Sequence, residues 1–544
     1  MKVLCISPAF PETYWGQEHA LRLIGKRSLL PPLGLLTVAA LLPSDWEVRL
    51  VDMNVRPVAD ADLDWADVVF LSGMLVQRPS MLKVAARARG KGKTIVAGGP
   101  HATATPDAVA PHVDTVVMGE AEDLIAPLCA ALLAHLSPEH TPLPARFVAT
   151  ERPDLKLLPP PRYDLLEVGA YHSICVQWGR GCPFTCEFCD IVELFGRRPR
   201  TKEPAQLCRE LDAVLATGFR GSLFIVDDNF VGNRKETLAL LGPLGAWMRA
   251  HRFPFQIFTE ASIDLAGCDD LIAGMIAAGF DCVFVGIETP SPAALRETHK
   301  MQNLKVDLNQ AIDKLIRSGL DVMAGFIMGF DADDAAALER QREWVLRSPI
   351  PQAMMGILTA LPGTQLERRL TREGRLIERA SGETFGRANF RTALPESTLL
   401  ETYRAALEQI YLPEEYFARC LRALELRPHV DAPFALPWSY ALSCVLRSVW
   451  QQGVVGKYRK AYWRFMGQVL RRAPRRLARA VALAIAGEHM IRYTAEDVLP
   501  RLDAAIAEVR AEEAAAKLPM KAHGRRAPHH LPVLSVRDVE AAAG

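Results

Sequence analysis

Short apolar runs rich in Val and Ile recur along the first 140 residues: VLCIS (3–7), EVRLVD (47–52), VVFLSG (68–73), TIVAGG (94–99) and TVVMGE (115–120). Each runs into Gly, Ser, Asp or Pro. Segments with helical spacing lie between them, such as PPLGLLTVAALLP and SMLKVAARARG. Strands that lack polar alternation belong in a parallel sheet covered on both faces. The pattern predicts an α/β, doubly wound domain over 1–140, whose ligand would sit beyond the carboxyl ends of the strands.

The passage TPLPARF to LLPPPRYD is rich in proline and reads as an extended linker over 141–168. The strand–helix alternation then resumes with SICVQW (173–178), LFIVDD (223–228), FQIFTE (255–260), CVFVGIE (282–288), VMAGFIMGF (322–330) and AMMGILTA (353–360). Six such units in series predict a partial (βα)6 TIM-like barrel over 169–395, with its chemistry at the C-terminal strand ends. From 396 to 510 the spacing is helical, which predicts a mainly helical C-terminal domain. Residues 511–544 read as a frayed helix and a disordered tail.

The chain has 544 residues, 49% of them hydrophobic and 23% charged, with a formal net charge of +1. This is the composition of a soluble globular chain with several cores. A net charge so near zero gives no global field to attract nucleic acid. No apolar run suggests a secretory signal or a membrane-spanning helix. The 11 cysteines then point to a reducing, cytoplasmic compartment, where clustered thiols bind metal or do chemistry.

Three of those cysteines stand together in GRGCPFTCEFCD (179–190): Cys182, Cys186 and Cys189. The CxxxCxxC spacing puts three thiolates on one loop after the first barrel strand, which suits a soft metal or an iron–sulfur cluster. A structural zinc is the alternative and needs a fourth ligand. Cys175 and Cys208 are the nearest cysteines, and Cys175 lies within an apolar strand. A 4Fe–4S cluster usually has four cysteine ligands, so three leave one iron open for a substrate.

CxxxCxxC with the aromatic Phe188 before its last cysteine, opening a six-unit βα barrel, resembles the radical S-adenosylmethionine (SAM) superfamily. The resemblance implies a 4Fe–4S cluster on Cys182, Cys186 and Cys189 that binds SAM and cleaves it to a 5′-deoxyadenosyl radical. VDDNF (226–230), GIETPS (286–291), AGFIMGFD (324–331) and LPGTQL (361–366) stand where that family keeps its SAM-contacting strand ends. It implies Asp228 and Glu288 as SAM contacts, and Glu260 at the end of the third strand. Helix capping or ion pairing would explain the same carboxylates. The family also implies an external electron donor such as flavodoxin or ferredoxin.

The first domain resembles the cobalamin-binding domain of radical SAM enzymes in PPLGLLTVAALLP…EVRLVDMNV, GGPHATATP (98–106) and MGEAED (118–123). It implies that loops at Ser72–Gly73, Gly98, Gly99 and His101, and Gly119–Glu120 line the corrin ring. No DxHxxG motif is present, and His101 follows GGP, so the resemblance implies cobalamin held without a histidine ligand. IYLPEEYFAR (410–419) and the stretch 56–74 resemble the branch related to hopanoid C-2 methylase. Together these imply methylcobalamin-dependent C-methylation of a lipid, terpenoid or other secondary metabolite. A cobalamin-dependent oxidative cyclase or rearrangement enzyme would carry the same motifs, and a non-catalytic cobalamin sensor is the reading from another class.

Residues 457–479, KYRKAYWRFMGQVLRRAPRRLAR, hold nine Lys or Arg and no acid. On a helix Tyr458, Tyr462, Phe465 and Val469 share one face, and Lys460, Arg464, Arg471 and Arg475 lie opposite. This predicts either an interfacial helix at the inner membrane surface or a solvated basic face packed on the barrel.

Overall fold

The computed structural model describes residues 1–517 except 381, 383–385, 429–433 and 435–436. Expectations for 518–544 lie outside the described residues.

Strands β1 (Lys2–Ser7), β2 (Glu47–Asp52), β3 (Val68–Ser72), β4 (Thr94–Gly98), β5 (Thr115–Met118) and β6 (Arg146–Val148) form a parallel sheet ordered β2-β1-β3-β4-β5-β6. The apolar runs work because both faces are covered. Leu4, Ile6, Val69 and Leu71 pack with Met81, Val84 and Ala85 on one side. The alternate residues Val3, Cys5, Val68 and Phe70 pack with Leu35, Leu128 and Leu132 on the other. Strand order reverses between β1 and β3, the crevice where such sheets take ligands.

The proline-rich passage is less free than an extended linker. Its residues 146–148 pair with β5 as the sheet's sixth strand, where the edge of β5 offers unpaired backbone groups. Leu155 and Tyr163 are buried farther along.

The second sheet takes β7 (Ser173–Val176), β8 (Gly221–Ile225), β9 (Phe255–Ala261), β10 (Phe280–Glu288), β11 (Asp321–Met328) and β12 (Ala353–Ile357) in chain order, all parallel. Leu223, Ile225, Ile257, Val283 and Val285 face the outer helices and are fully buried. Alternate positions face inward and are half-buried, among them Phe224, Phe258 and Phe284. The barrel stays open between β7 and β12.

Both open edges are covered by polar contacts. At β7 the Ser173 amide donates to Leu29 O (3.0 Å) and the Tyr163 hydroxyl donates to Cys175 O (2.9 Å). At β12 the hydroxyls of Tyr403 and Tyr411 donate to Met355 O (2.8 Å) and Ala353 O (2.6 Å). These tyrosines belong to the helical layer Glu396–Ile410, Pro413–Leu426, Trp438–Ser448, Arg459–Arg472, Leu477–Tyr493 and Leu499–Lys517. The last of these carries on through 511–517, where sequence suggests fraying.

The helix Arg459–Arg472 turns Tyr462, Phe465, Met466 and Val469 inward. Phe465 stacks on Phe417 with centroids 4.8 Å apart. The apolar face that an interfacial helix would need at 457–479 is therefore packed inside the protein. No helix among the described residues is long and apolar enough to cross a membrane.

Candidate functional site

The cysteine loop leaves β7 at the C-terminal mouth of the barrel and is held by two adjacent carboxylates that follow the next strand, β8. The Trp178 amide donates to Asp227 Oδ1 and the Gly181 amide to Asp228 Oδ2, both at 2.8 Å. Gly181 has φ +96°, and a Cβ there would meet Gly196 O at 2.8 Å and Arg198 O at 3.1 Å. Only glycine gives the chain this path. From the far side, the Glu187 amide donates to Thr298 O (3.0 Å), and Arg369 Nε donates to Glu187 Oε1 (2.6 Å).

Cys182, Cys186 and Cys189 are half-buried on this loop. Asn229 Nδ2 points at Cys182 Sγ from 3.9 Å and Gln302 Nε2 at Cys186 Sγ from 3.7 Å. Among the described residues no three His, Cys, Asp or Glu side chains gather round one metal ion. The donor set suits a cluster better than a zinc, because each cysteine of a cluster ligates its own iron. Soft sulfur donors and amide N–H groups aimed at them fit that group. Burial pushes the Cys182 and Cys189 thiols up, so without a cationic group they would stay protonated.

Phe188 reaches the apolar cluster of Phe330, Leu358 and Leu366. Its ring lies 6.2 Å from that of Phe330 and 5.9 Å from Lys300 Nζ.

The three carboxylates named from sequence all stand at this mouth. Asp228 is half-buried, and burial raises its pKa to about 6. Glu260 has no side-chain hydrogen bond among the described residues, and burial, then the charge of Asp228, raises its pKa to about 7. Glu288 sits on a β-bulge of β10 with φ +62°. A non-glycine residue in that region is strained, a feature that clusters at functional sites. Gln341 Nε2 donates to its carbonyl oxygen (3.0 Å), and its carboxylate pairs with Lys300 at 2.5 Å. None of the three is a helix cap. Glu288 is an ion pair, but a buried one at the strand end.

Among the half-buried inner positions of the barrel, Phe224, Phe258 and Phe284 form an apolar aromatic patch in the lumen below these carboxylates. Phe224 and Phe258 stack at 4.4 Å, one layer below Glu260 and Phe284, which are paired in register. The ring of Trp15 packs 4.9 Å from that of Phe284.

In the first domain the loops named from sequence converge at the carboxyl ends of β3, β4 and β5. The His101 amide donates to Gly73 O (3.1 Å), and the Gly119 amide to Thr103 Oγ1 (3.0 Å). Gly98 ends β4 next to Gly99, which has φ +86°; a Cβ on Gly99 would fall 2.3 Å from Ser72 Oγ. His101 is buried, and burial, then Arg78, lowers its pKa to about 4. The Thr105 hydroxyl donates to His101 O (3.1 Å), so His101 Nδ1 donates to Thr105 Oγ1 (2.9 Å). Nε2 is left as a buried acceptor without a partner. A glycine-bordered shelf with one unsatisfied buried acceptor fits a flat, polar-edged ring.

Glu120 takes a different position from the rest. Its carboxylate accepts from Arg180 (2.6 Å) and Arg200 (2.6 Å) and lies 3.4 Å from Arg152. Glu122 adds a second contact to Arg180 at 2.7 Å. Arg180 directly precedes Gly181 and Cys182, so Glu120 ties the end of β5 to the cysteine loop. Arg180 and Asn229 stand inside motifs visible in sequence. Gln302 and Lys300 carry no sequence signal and reach the site only through the fold.

Family models match the chain in three places: a B12 binding domain over 26–128, the Radical SAM superfamily over 176–344 and a domain of unknown function, DUF4070, over 364–499. The chain is 42% identical over 498 residues to a protein of Synechocystis sp. called uncharacterized methyltransferase sll1242, covering 91% of this chain and 92% of that one. It is 34% identical to the hopanoid C-2 methylase of Rhodopseudomonas palustris, covering 94% and 97%. Among solved structures, the cobalamin-dependent SAM radical enzyme OxsB superposes with a TM-score of 0.57 at 14% identity, covering 95% of this chain and 84% of that one. That likeness concerns the fold.

Proposed function

The chain belongs to the cobalamin-binding radical SAM enzymes, and from that premise we propose that it methylates an unactivated carbon of an apolar lipid, terpenoid or related secondary metabolite. Its cofactors are cobalamin, SAM and a 4Fe–4S cluster. When bound, they supply an electron, a 5′-deoxyadenosyl radical and a transferable methyl group. The protein has to hold, orient and shield.

Cys182, Cys186 and Cys189 would hold the cluster, with Asn229 and Gln302 donating toward its sulfurs. Asp228, Glu260 and Glu288 are the anions at hand for the cationic SAM. Phe188 packs the loop in place. Ser72, Gly73, Gly98, Gly99, His101 and Gly119 would border the corrin, and Glu120 fixes that shelf against the cysteine loop. An external flavodoxin or ferredoxin would donate the electron, in a cytoplasmic setting at the inner membrane surface.

One observation carries the substrate reading: inside the barrel, below the carboxylates of the mouth, Phe224, Phe258 and Phe284 present an apolar aromatic surface, with Trp15 packed against Phe284. Such a surface takes an apolar body and excludes water. The test is anaerobic incubation of the reconstituted enzyme with SAM, hydroxocobalamin, a reductant and a host lipid extract. Methylation yields 5′-deoxyadenosine and S-adenosylhomocysteine together. Deoxyadenosine alone would move the reaction to cyclisation or rearrangement.

A further inference from the structure

The face of Arg459–Arg472 that sequence favours for lipid is turned inward, and the fold leaves a different surface outside. Trp438, Leu442, Leu446 and Trp450 recur every fourth residue and are 78%, 45%, 60% and 63% exposed. They run along the helix Trp438–Ser448 into the π-helical turn Val449–Val455, where Val454 and Val455 are also exposed. Trp463 joins the ridge from the next helix. Its indole N–H donates to Gly453 O at 2.9 Å, and its ring lies 3.0 Å from where a Gly453 Cβ would be. Leu470, two turns on, shares the face of Trp463 and is 56% exposed. Two elements thus present one apolar ridge with three tryptophans, a surface that a soluble chain does not leave bare without use.

The charge around the ridge selects the occupant. No Asp or Glu occurs from 432 to 487. Arg459, Lys460, Arg464 and Arg471 are exposed beside Trp463 and Leu470. None of them meets a carboxylate within 4.0 Å among the described residues, whereas Arg472 pairs with Glu425 (3.2 Å). A second copy docking ridge to ridge would bring these cations together with no acid between them. A flat apolar layer with an anionic surface satisfies both features: tryptophans seat at the boundary and cations meet the headgroups.

We infer that the C-terminal helical layer docks the protein on an anionic lipid bilayer through Trp438, Leu446, Trp450 and Trp463 and the cations beside them. The docked face joins the segment that packs Trp15 against Phe284 of the barrel. The Tyr440 hydroxyl donates to Ile24 O (3.1 Å) and Arg447 to Leu23 O (3.2 Å), on the helix Glu18–Ile24 that follows Trp15. An apolar substrate leaving the bilayer would meet that segment first.

The test is flotation of the full chain with vesicles of phosphatidylcholine, alone or with one-third phosphatidylglycerol. It needs neither cofactor nor turnover, so its failure and a failure of the methylation reading are separate results. The expected result is flotation with the anionic vesicles only. Leu446→Ser/Trp450→Ser and the charge-only variant Lys460→Glu/Arg464→Glu should each weaken vesicle binding about tenfold while their thermal melts match the wild type. The charge-only pair keeps the test valid if the apolar pair fails to fold. Wild-type protein that stays with neither vesicle, or charge variants that float as well as wild type, would overturn the inference. So would a ridge-dependent dimer in sedimentation velocity without flotation.

Discussion

At position 181 a side chain has nowhere to go: the backbone is left-handed and three carbonyl oxygens crowd the site of its Cβ. Gly181→Ala should cost roughly 1–3 kcal/mol of local strain, and the loop would relieve it by moving. The expected outcome is a severalfold loss of iron and sulfide per chain after reconstitution, with an unchanged circular dichroism spectrum. Glu260 gives a prediction with a sign. Its pKa is raised to about 7 by burial, so near pH 6 it is mostly protonated. Cationic SAM favours the ionised form, so binding must expel the proton there. SAM affinity should rise with pH between about 6 and 8, at up to about tenfold per unit below 7, and level off above. Calorimetric titration of reconstituted protein checks this, and Glu260→Gln should flatten the profile. The cysteines, Asp228 and Glu288 are legible as candidates because each stands in a recognisable motif, whereas Glu260 is marked only by ending the third strand. Gln302 and Lys300 are not legible, because a polar residue after a helix carries no mark of what it will face.

Between elements, the main connection runs from the end of β5 to the cysteine loop through Glu120 and Arg180, both largely buried. Without the Glu120 carboxylate, Arg180 keeps Glu122 alone and Arg200 has no acid partner among the described residues, in a poorly solvated place. Glu120→Gln should leave cobalamin and cluster loading intact while the two domains lose their fixed spacing. Methyl transfer per deoxyadenosine formed should then fall about tenfold or more, since misplacing reacting partners by an ångström is that costly. Product ratios by mass spectrometry check it. Sequence reading named Glu120 as a corrin neighbour from its place after Gly119. The fold adds three arginines from beyond the first domain, which no local pattern could announce. β1, β3, β4 and β5 are legible because they are buried on both sides, and that burial writes a near-continuous apolar run into the chain. β6 escaped because an edge strand among prolines needs no such run.

For the whole molecule, the helical layer completes an open barrel. Tyr403 and Tyr411 close the β12 edge, and Arg479 clasps Asp281 (2.6 Å) and Asp321 (2.6 Å) at the start of β10 and β11. Arg479→Ala leaves both carboxylates to Arg427 alone (2.6 and 2.7 Å) and should destabilise the protein by about 1.5–3 kcal/mol, the worth of the lost charge-assisted hydrogen bonds, seen as a lowered Tm. Part of the basic run that looked like a lipid-facing helix is thus structural. Residue composition shows that a helix is amphipathic but not which neighbour covers its apolar side. The central claim is that the aromatic lumen delivers an apolar carbon to a methyl donor fixed across the Glu120–Arg180 contact. Its most direct test follows the label from SAM carrying a deuterated methyl group into the lipid fraction by mass spectrometry. The account predicts a lipid heavier by one labelled methyl, formed with 5′-deoxyadenosine and lost in Cys182→Ala. Unlabelled lipid in a reaction that still makes deoxyadenosine would contradict it.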